Sequence, residues 1–254
     1  QRQMCIRDRD GDLEQLRKKA ARILGVRPGA LEELTLVRQS IDARKKQDVH
    51  YVYTVDVSLR TGEEQAVERT GKKNVSLVLP KPYLFPEVKR RSPSMPVVVG
   101  MGPAGLFAAL FLARNGLPCV VLERGQDVDC RTAQVERFWD SGLLDPSSNV
   151  QFGEGGAGTF SDGKLTGTHD PRISAVIDAL VESGAPEDVK WSHKPHIGTD
   201  ILRQVVKRIR QELISLGCDV RFGHCLSGLE TGSGALSGVW VACEAGRYRL
   251  DCDA

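Results

Sequence analysis

Residues 97–105, VVVGMGPAG, constrain the fold more than any other stretch of the chain. Three β-branched valines read as a buried strand, and the side chains then vanish at Gly100, Gly102 and Gly105. Pro103 and Ala104 complete the pattern G-x-G-x-x-G, an apolar helix follows at once to Gly116, and the chain returns in CVVLE, residues 119–123. Strand, glycine turn, helix and strand make a βαβ unit. In such a unit Gly100 permits the tight turn, Gly102 lets a pyrophosphate approach the backbone, and Gly105 lets the helix pack closely on the strand. The free N–H groups and the dipole at the helix start then meet the phosphate charge. Glu123 ends the second strand, where a carboxylate can accept ribose hydroxyls, and Arg124 stands beside it. A dinucleotide fits this pattern, but the unit serves NAD and FAD alike.

The stretch NVQFGEGGAGTFSDGKLTG, residues 149–167, holds six glycines interleaved with Phe152, Phe160 and Leu165. A loop of this kind turns several N–H groups toward an anionic or carbonyl-rich ligand, forming a nest. Ser161, Asp162 and Lys164 add a hydroxyl, a carboxylate and a cation.

VVVGMGPAGLFAALFLARNG, CVVLERG and FGEGGAGTFSDGKL together resemble the uncharacterised FAD-dependent dehydrogenases of the glutathione-reductase-like flavoprotein superfamily. The resemblance runs from about Gly11 to the end and takes in SIDARKK and HYVYTVDV. It implies a Rossmann-like FAD-binding domain with FAD extended along it. Gly100, Gly102, Pro103, Ala104 and Gly105 would meet the pyrophosphate, with Glu123 and Arg124 at the adenosine ribose. Gly155, Gly156, Gly158, Thr159, Ser161, Asp162 and Lys164 would run along the pyrophosphate, ribityl chain and flavin ring. Lys164 would set positive charge near flavin N1 and C2=O.

His196 in KPHIGTD, residues 194–200, is the other catalytic candidate, and Asp200 reads as a helix cap. The family's later strand, with an alanine- or threonine-glycine turn and a closing Gly-Asp, is not found before the chain ends at LDCDA. An FAD domain incomplete at its C-terminus, binding FAD weakly by itself, is the expectation.

Ahead of this domain, residues 11–80 read as a small α/β module resembling a ferredoxin-like plait. A helix runs from Asp12 to a stop at Gly25, with strands at 34–37, 50–59 and 75–79. A proline-rich linker, 81–96, divides the two units. Up to Met95 there are 20 Lys/Arg against 13 Asp/Glu, and from Pro96 onward 15 against 20. The Arg44-Lys45-Lys46 run reads as a solvated loop, since no stacking aromatics or zinc-ligand spacing accompany it. Residues 1–10 show neither period 2 nor period 3.6, resemble translated adaptor sequence, and are set outside the fold.

The second unit is expected to continue with helices at 173–183 and 201–216, the latter capped by Thr199 or Asp200, and strands at 219–222, 226–230 and 238–242. Seven scattered cysteines suit reduced thiols in a cytoplasmic protein, and no apolar run is long enough to span a bilayer. The sequence thus reads as an oxidoreductase that passes a hydride through FAD from a small-molecule substrate, with NAD(P)H as a possible donor. The alternatives are an NAD-dependent dehydrogenase on the same βαβ unit and an RNA-associated flavoprotein using the basic module. No metal site is expected, and the oligomeric state is open.

Overall fold

The computed structural model describes residues 2–8, 12–79, 83–85, 94–161, 163–165, 170 and 172–254. They form two compact units: Gln1–Leu84 with Thr168–Ile177 and Glu187–Pro195, and Phe85–Gly167 with Asp178–Pro186 and His196–Ala254. The proline-rich linker falls mostly outside the described residues.

The first unit runs β1 (Arg2–Asp8), α1 (Leu13–Leu24), β2 (Leu31–Asp42), β3 (His50–Leu59), α2 (Glu63–Thr70) and β4 (Val75–Leu77). The sheet order is β2-β3-β1-β4 with every pairing antiparallel, the βαββαβ order of a ferredoxin-like plait. Asp12 caps α1 by accepting from the Glu14 amide, and Gly25 closes it in the left-handed region. Alternate residues Tyr53, Val55, Val57 and Leu59 of β3 face inward against Leu16, Ala20 and Leu24 of α1.

Residues 2–8, set outside the fold on the sequence, belong to it. Arg2–Asp8 is an interior strand whose Met4 and Ile6 are 0% and 3% exposed. Two inward apolar positions are too few to register as a period. Pairing with β3 and β4, both distant in sequence, decides the strand instead. Likewise β2 extends to 12 residues where four were expected, because the long partner β3 carries it through two register shifts.

The second unit contains β5 (Val97–Val99), α3 (Pro103–Arg114), β6 (Val120–Glu123), α4 (Val128–Ser141), the end of α5 (Arg172–Glu182), α6 (Thr199–Ser215) and β7 (Asp219–Phe222). Strands β5, β6 and β7 form a parallel sheet with β6 central, so the domain is Rossmann-like. An antiparallel meander follows: β8 (Cys225–Gly232), β9 (Ala235–Cys243) and β10 (Gly246–Asp251). Val120 and Leu122 of β6 share a core with Val239 and Val241 of β9.

Strand β5 is not fully buried. Val99 is 51% exposed, and it borders the cavity described below. Gly198, at φ +82°, caps α6, which places Thr199 and Asp200 inside the first turn and corrects the expected cap. Glycine takes this backbone conformation without strain, so no side-chain cap is made. All seven cysteines are free. No helix among the described residues is long and apolar enough to cross a membrane.

Candidate functional site

The site begins where β5 ends. Gly100, at φ +89°, turns the chain, and Gly102 stands at the N-cap of α3 with no side chain to cap it. A helix start without a side-chain cap leaves its first N–H groups for another acceptor. A Cβ on Gly102 would meet nothing within 4 Å, so the missing side chain leaves open space. Gly105 behaves oppositely. A Cβ there would lie inside the Gly100 carbonyl oxygen, 3.0 Å from its carbon and 3.3 Å from Val98 Cγ1. Helix and turn touch along their main chains at that point.

The second glycine-rich stretch folds onto this turn. The Gly155 amide donates to the Met101 carbonyl at 2.8 Å. A Cβ on Gly156 would come 3.0 Å from Pro103 Cδ and 3.3 Å from Gly102 Cα. Two loops separated by 50 residues of sequence thus make one cradle of bare backbone at the start of a helix. Gly158 lies within the short 3-10 helix Ala157–Phe160 behind it, and Thr159, fully buried, turns its hydroxyl to the Glu154 carbonyl at 3.4 Å. Ser161 is exposed and donates to the Gly158 carbonyl. Asp162 lies outside the described residues.

Glu123 is 4% exposed and both its oxygens are engaged. Oε2 accepts from the Met101 amide at 2.7 Å and Oε1 from the Gly125 amide at 2.8 Å. The carboxylate therefore ties the end of β6 to the glycine turn, and each oxygen keeps capacity for one more hydrogen bond. Arg124 lies exposed, its guanidinium 4.5 Å from the centre of the Phe152 ring and donating to the Pro146 carbonyl. A cavity of about 430 Å³ opens here, bordered by Val99, Gly102, Glu123, Arg124, Gly156 and Leu226.

Lys164 and His196, far apart in sequence, are partners in an isolated antiparallel bridge, and the Ile197 amide donates to the Gly163 carbonyl at 3.0 Å. A Cβ on Gly163 would lie 2.7–3.0 Å from three backbone atoms of Gly198, so this crossing too needs glycine. Both residues are exposed, and His196 borders a second cavity of about 470 Å³ with Ser161, Thr199 and Asp200.

Three charged residues escape sequence reading. Arg131 on α4 is fully buried and donates to three main-chain carbonyls: Asn149 at 2.8 Å, Glu154 at 2.6 Å and Val150 at 2.8 Å. It holds the glycine-rich loop in shape, and burial depresses its pKa to about 10. Glu154 is also fully buried, its Oε2 accepting from the Val128 amide at 2.7 Å. Its Oε1 lies 3.1 Å from Arg210 Nε, an ion-pair distance without hydrogen-bond geometry. Burial raises the Glu154 pKa to about 7.

Residues 96–149 match the model of a family described as FAD binding domain. The cofactor is FAD. The match runs from the approach to β5 through the glycine turn, α3, β6 and α4, and the cradle above suits the group: bare backbone faces open space where a diphosphate needs it. Residues 8–58 match a domain of unknown function, DUF8436.

An uncharacterized protein of Clostridium beijerinckii is 43% identical over 251 residues, an alignment that takes in 93% of this chain and 45% of that protein. The chain thus spans less than half the length of this relative. Among solved structures, a 3-ketosteroid-Δ4-(5α)-dehydrogenase from Rhodococcus jostii is 15% identical with a TM-score of 0.40, covering 62% of this chain and 43% of that one. The anhydrotetracycline hydroxylase OxyS from Streptomyces rimosus is 19% identical with a TM-score of 0.37, covering 63% and 30%.

Proposed function

We propose that the chain forms the FAD-holding part of an oxidoreductase that passes a hydride between a small-molecule substrate and an acceptor. The single observation that carries this reading is the joint cradle: Gly156 seated on Gly102 and Pro103, with the Gly155 amide on the Met101 carbonyl. Bound FAD supplies the redox chemistry, taking up and passing on a hydride at its N5 position. The chain's own work is to hold and orient it. The amides of Gly102, Ala104 and Gly105 at the start of α3 receive the diphosphate, aided by the helix dipole. The spare lone pairs of Glu123 accept from ribose hydroxyls. Val99, Leu122 and Leu226 give the cavity apolar walls beside Arg124 and Phe152, which suits a flat aromatic ring.

Lys164 and His196 are brought to one strand-like bridge, which supports a shared role at the flavin end. Lys164 supplies fixed positive charge there, and His196 stands as the proton-holding group at the neighbouring cavity. Lys164→Met is expected to lower the flavin midpoint potential while leaving FAD affinity within about threefold, and an unchanged potential removes Lys164 from the site. NAD(P)H is the proposed electron donor. Anaerobic addition of NADPH or NADH to the FAD-loaded protein is expected to bleach the flavin absorbance. A spectrum indifferent to both, and to every organic reductant tried, would sink the oxidoreductase reading.

A further inference from the structure

Glu154 is a fully buried carboxylate directly next in sequence to the two glycines that form the floor of the cradle. The charged groups around it come from three elements. Arg131, Asp127 and Asp129 belong to α4 and its cap, Arg203, Lys207 and Arg210 to α6, and Glu123 to β6. Several are engaged elsewhere. Lys207 Nζ sits 2.8 Å from Asp129 Oδ2, Asp127 caps α4, and the Arg131 and Arg203 guanidiniums each lie 4.6 Å from the centre of the Phe160 ring. What faces Glu154 directly is Arg210, while Oε1 makes no hydrogen bond among the described residues.

The loop's shape does not depend on the charge of this carboxyl. Arg131 grips the loop through main-chain carbonyls, and the Val128 amide binds Oε2 in either protonation state. Changing the charge on Glu154 therefore alters the field beneath the cradle while the loop stays in place. An ionised Glu154 repels a diphosphate held over the neighbouring Gly155 and Gly156, and a protonated one does not.

We propose that Glu154 takes up a proton when FAD binds, so that the cofactor and a buried carboxyl titration are coupled at the glycine-rich loop. The inference rests on the FAD reading and adds to it a partner event on this chain. Burial already places the free-state titration near neutral pH, where such coupling is measurable. The sign follows from linkage. A group whose pKa rises on binding makes binding tighter below that pKa and weaker as pH climbs through it. If FAD raises the Glu154 pKa by one unit, its dissociation constant increases about fivefold from pH 6 to pH 8.

The test is FAD titration of the full chain, by flavin fluorescence, at pH values from 6 to 8.5, for the wild type and for Glu154→Gln. Expected are a rising dissociation constant in the wild type and a flat profile in the variant, close to the wild type's tight, low-pH limit. A slope that persists unchanged in Glu154→Gln, or a flat wild-type profile, overturns the proposal while leaving FAD binding intact. No FAD binding at any pH removes the cofactor reading itself, a distinct result. Calorimetry on the wild type alone, in two buffers of different ionisation enthalpy, gives a second measure that needs no variant. Net proton uptake near pH 7, with a protonated-carboxyl band gained in the infrared difference spectrum, is expected. The absence of both the uptake and the band refutes it.

Discussion

Gly105 and Gly102 stand three residues apart in one turn, yet substitution at each should fail in a different way. At Gly105 a Cβ lies inside the Gly100 carbonyl oxygen and 3.0 Å from its carbon, so main-chain atoms, with no rotamer to move, block it. Gly105→Ala must therefore push α3 off β5, loosening Leu106, Ala109 and Leu110, which are 0–2% exposed. Overpacking of this kind costs about 1–3 kcal/mol, and backbone on the receiving side puts it at the upper end. Better helix propensity returns at most about 1 kcal/mol, leaving a net loss near 2 kcal/mol and a Tm lowered by about 4–8 °C.

At Gly102 the backbone lies at φ −69° and ψ −179°, open to any residue, and a Cβ meets nothing within 4 Å. Gly102→Ala should lose under about 1 kcal/mol of stability, the difference between glycine and alanine at a helix N-cap. It nevertheless fills the space over the helix start and should weaken FAD binding at least about tenfold, or 1.4 kcal/mol. Thermal or urea unfolding of the full chain without FAD, followed by FAD titration, separates the two. Gly105→Ala with wild-type stability would refute the close packing, and Gly102→Ala with wild-type FAD affinity would refute the cradle.

Three further outcomes are expected. Arg131→Met leaves the carbonyls of Asn149, Val150 and Glu154 without their buried donor, so the loss should reach about 3–5 kcal/mol. Hydrogen exchange at the Gly155 amide should quicken with it, and slow exchange in the variant would argue that the loop is held elsewhere. Glu123→Gln can accept at only one of the two amides that the carboxylate serves, facing the other with an NH₂, and should cost about 1–3 kcal/mol in urea unfolding. For Glu154, burial raises the folded pKa from the ordinary 4.5 to about 7, so the folded state holds the proton more tightly than the unfolded one. Its contribution to stability is present below pH 4.5 and is lost as pH rises to 7, by at most about 3 kcal/mol. Glu154→Gln should flatten the unfolding free energy over that window, and an unaltered pH profile would contradict the assigned burial.

What the sequence disclosed and what it hid follow a physical line. The βαβ turn was legible because its demands are local: a glycine where the turn needs φ +89°, one where the helix crosses backbone, and a carboxylate at a strand end. Helices α1 and α6 were legible from their periodic apolar faces. Helix α4 was missed because its inward stripe is Val128, Arg131 and Val135, and an arginine in the middle reads as solvent-facing. The same blindness hid Arg131, Glu154 and Arg210 as a set, since nothing in one chain marks a charged residue as buried until the elements that bury it are assembled. Strand β1 was lost for a related reason: its pairing is entirely with residues 43 to 75 positions away. The meeting of Lys164 with His196 rests on two glycines crossing, Gly163 and Gly198, a contact that no local pattern announces.

The most direct test of the account is an FAD titration of the full chain beside Gly102→Val and Gly156→Val, with ADP as competitor. Saturable FAD binding that ADP displaces, and that either valine weakens at least about tenfold, is the predicted result. Flavin fluorescence unmoved by the wild-type chain, or FAD binding indifferent to both valines, would contradict the claim that backbone at these two loops holds the diphosphate.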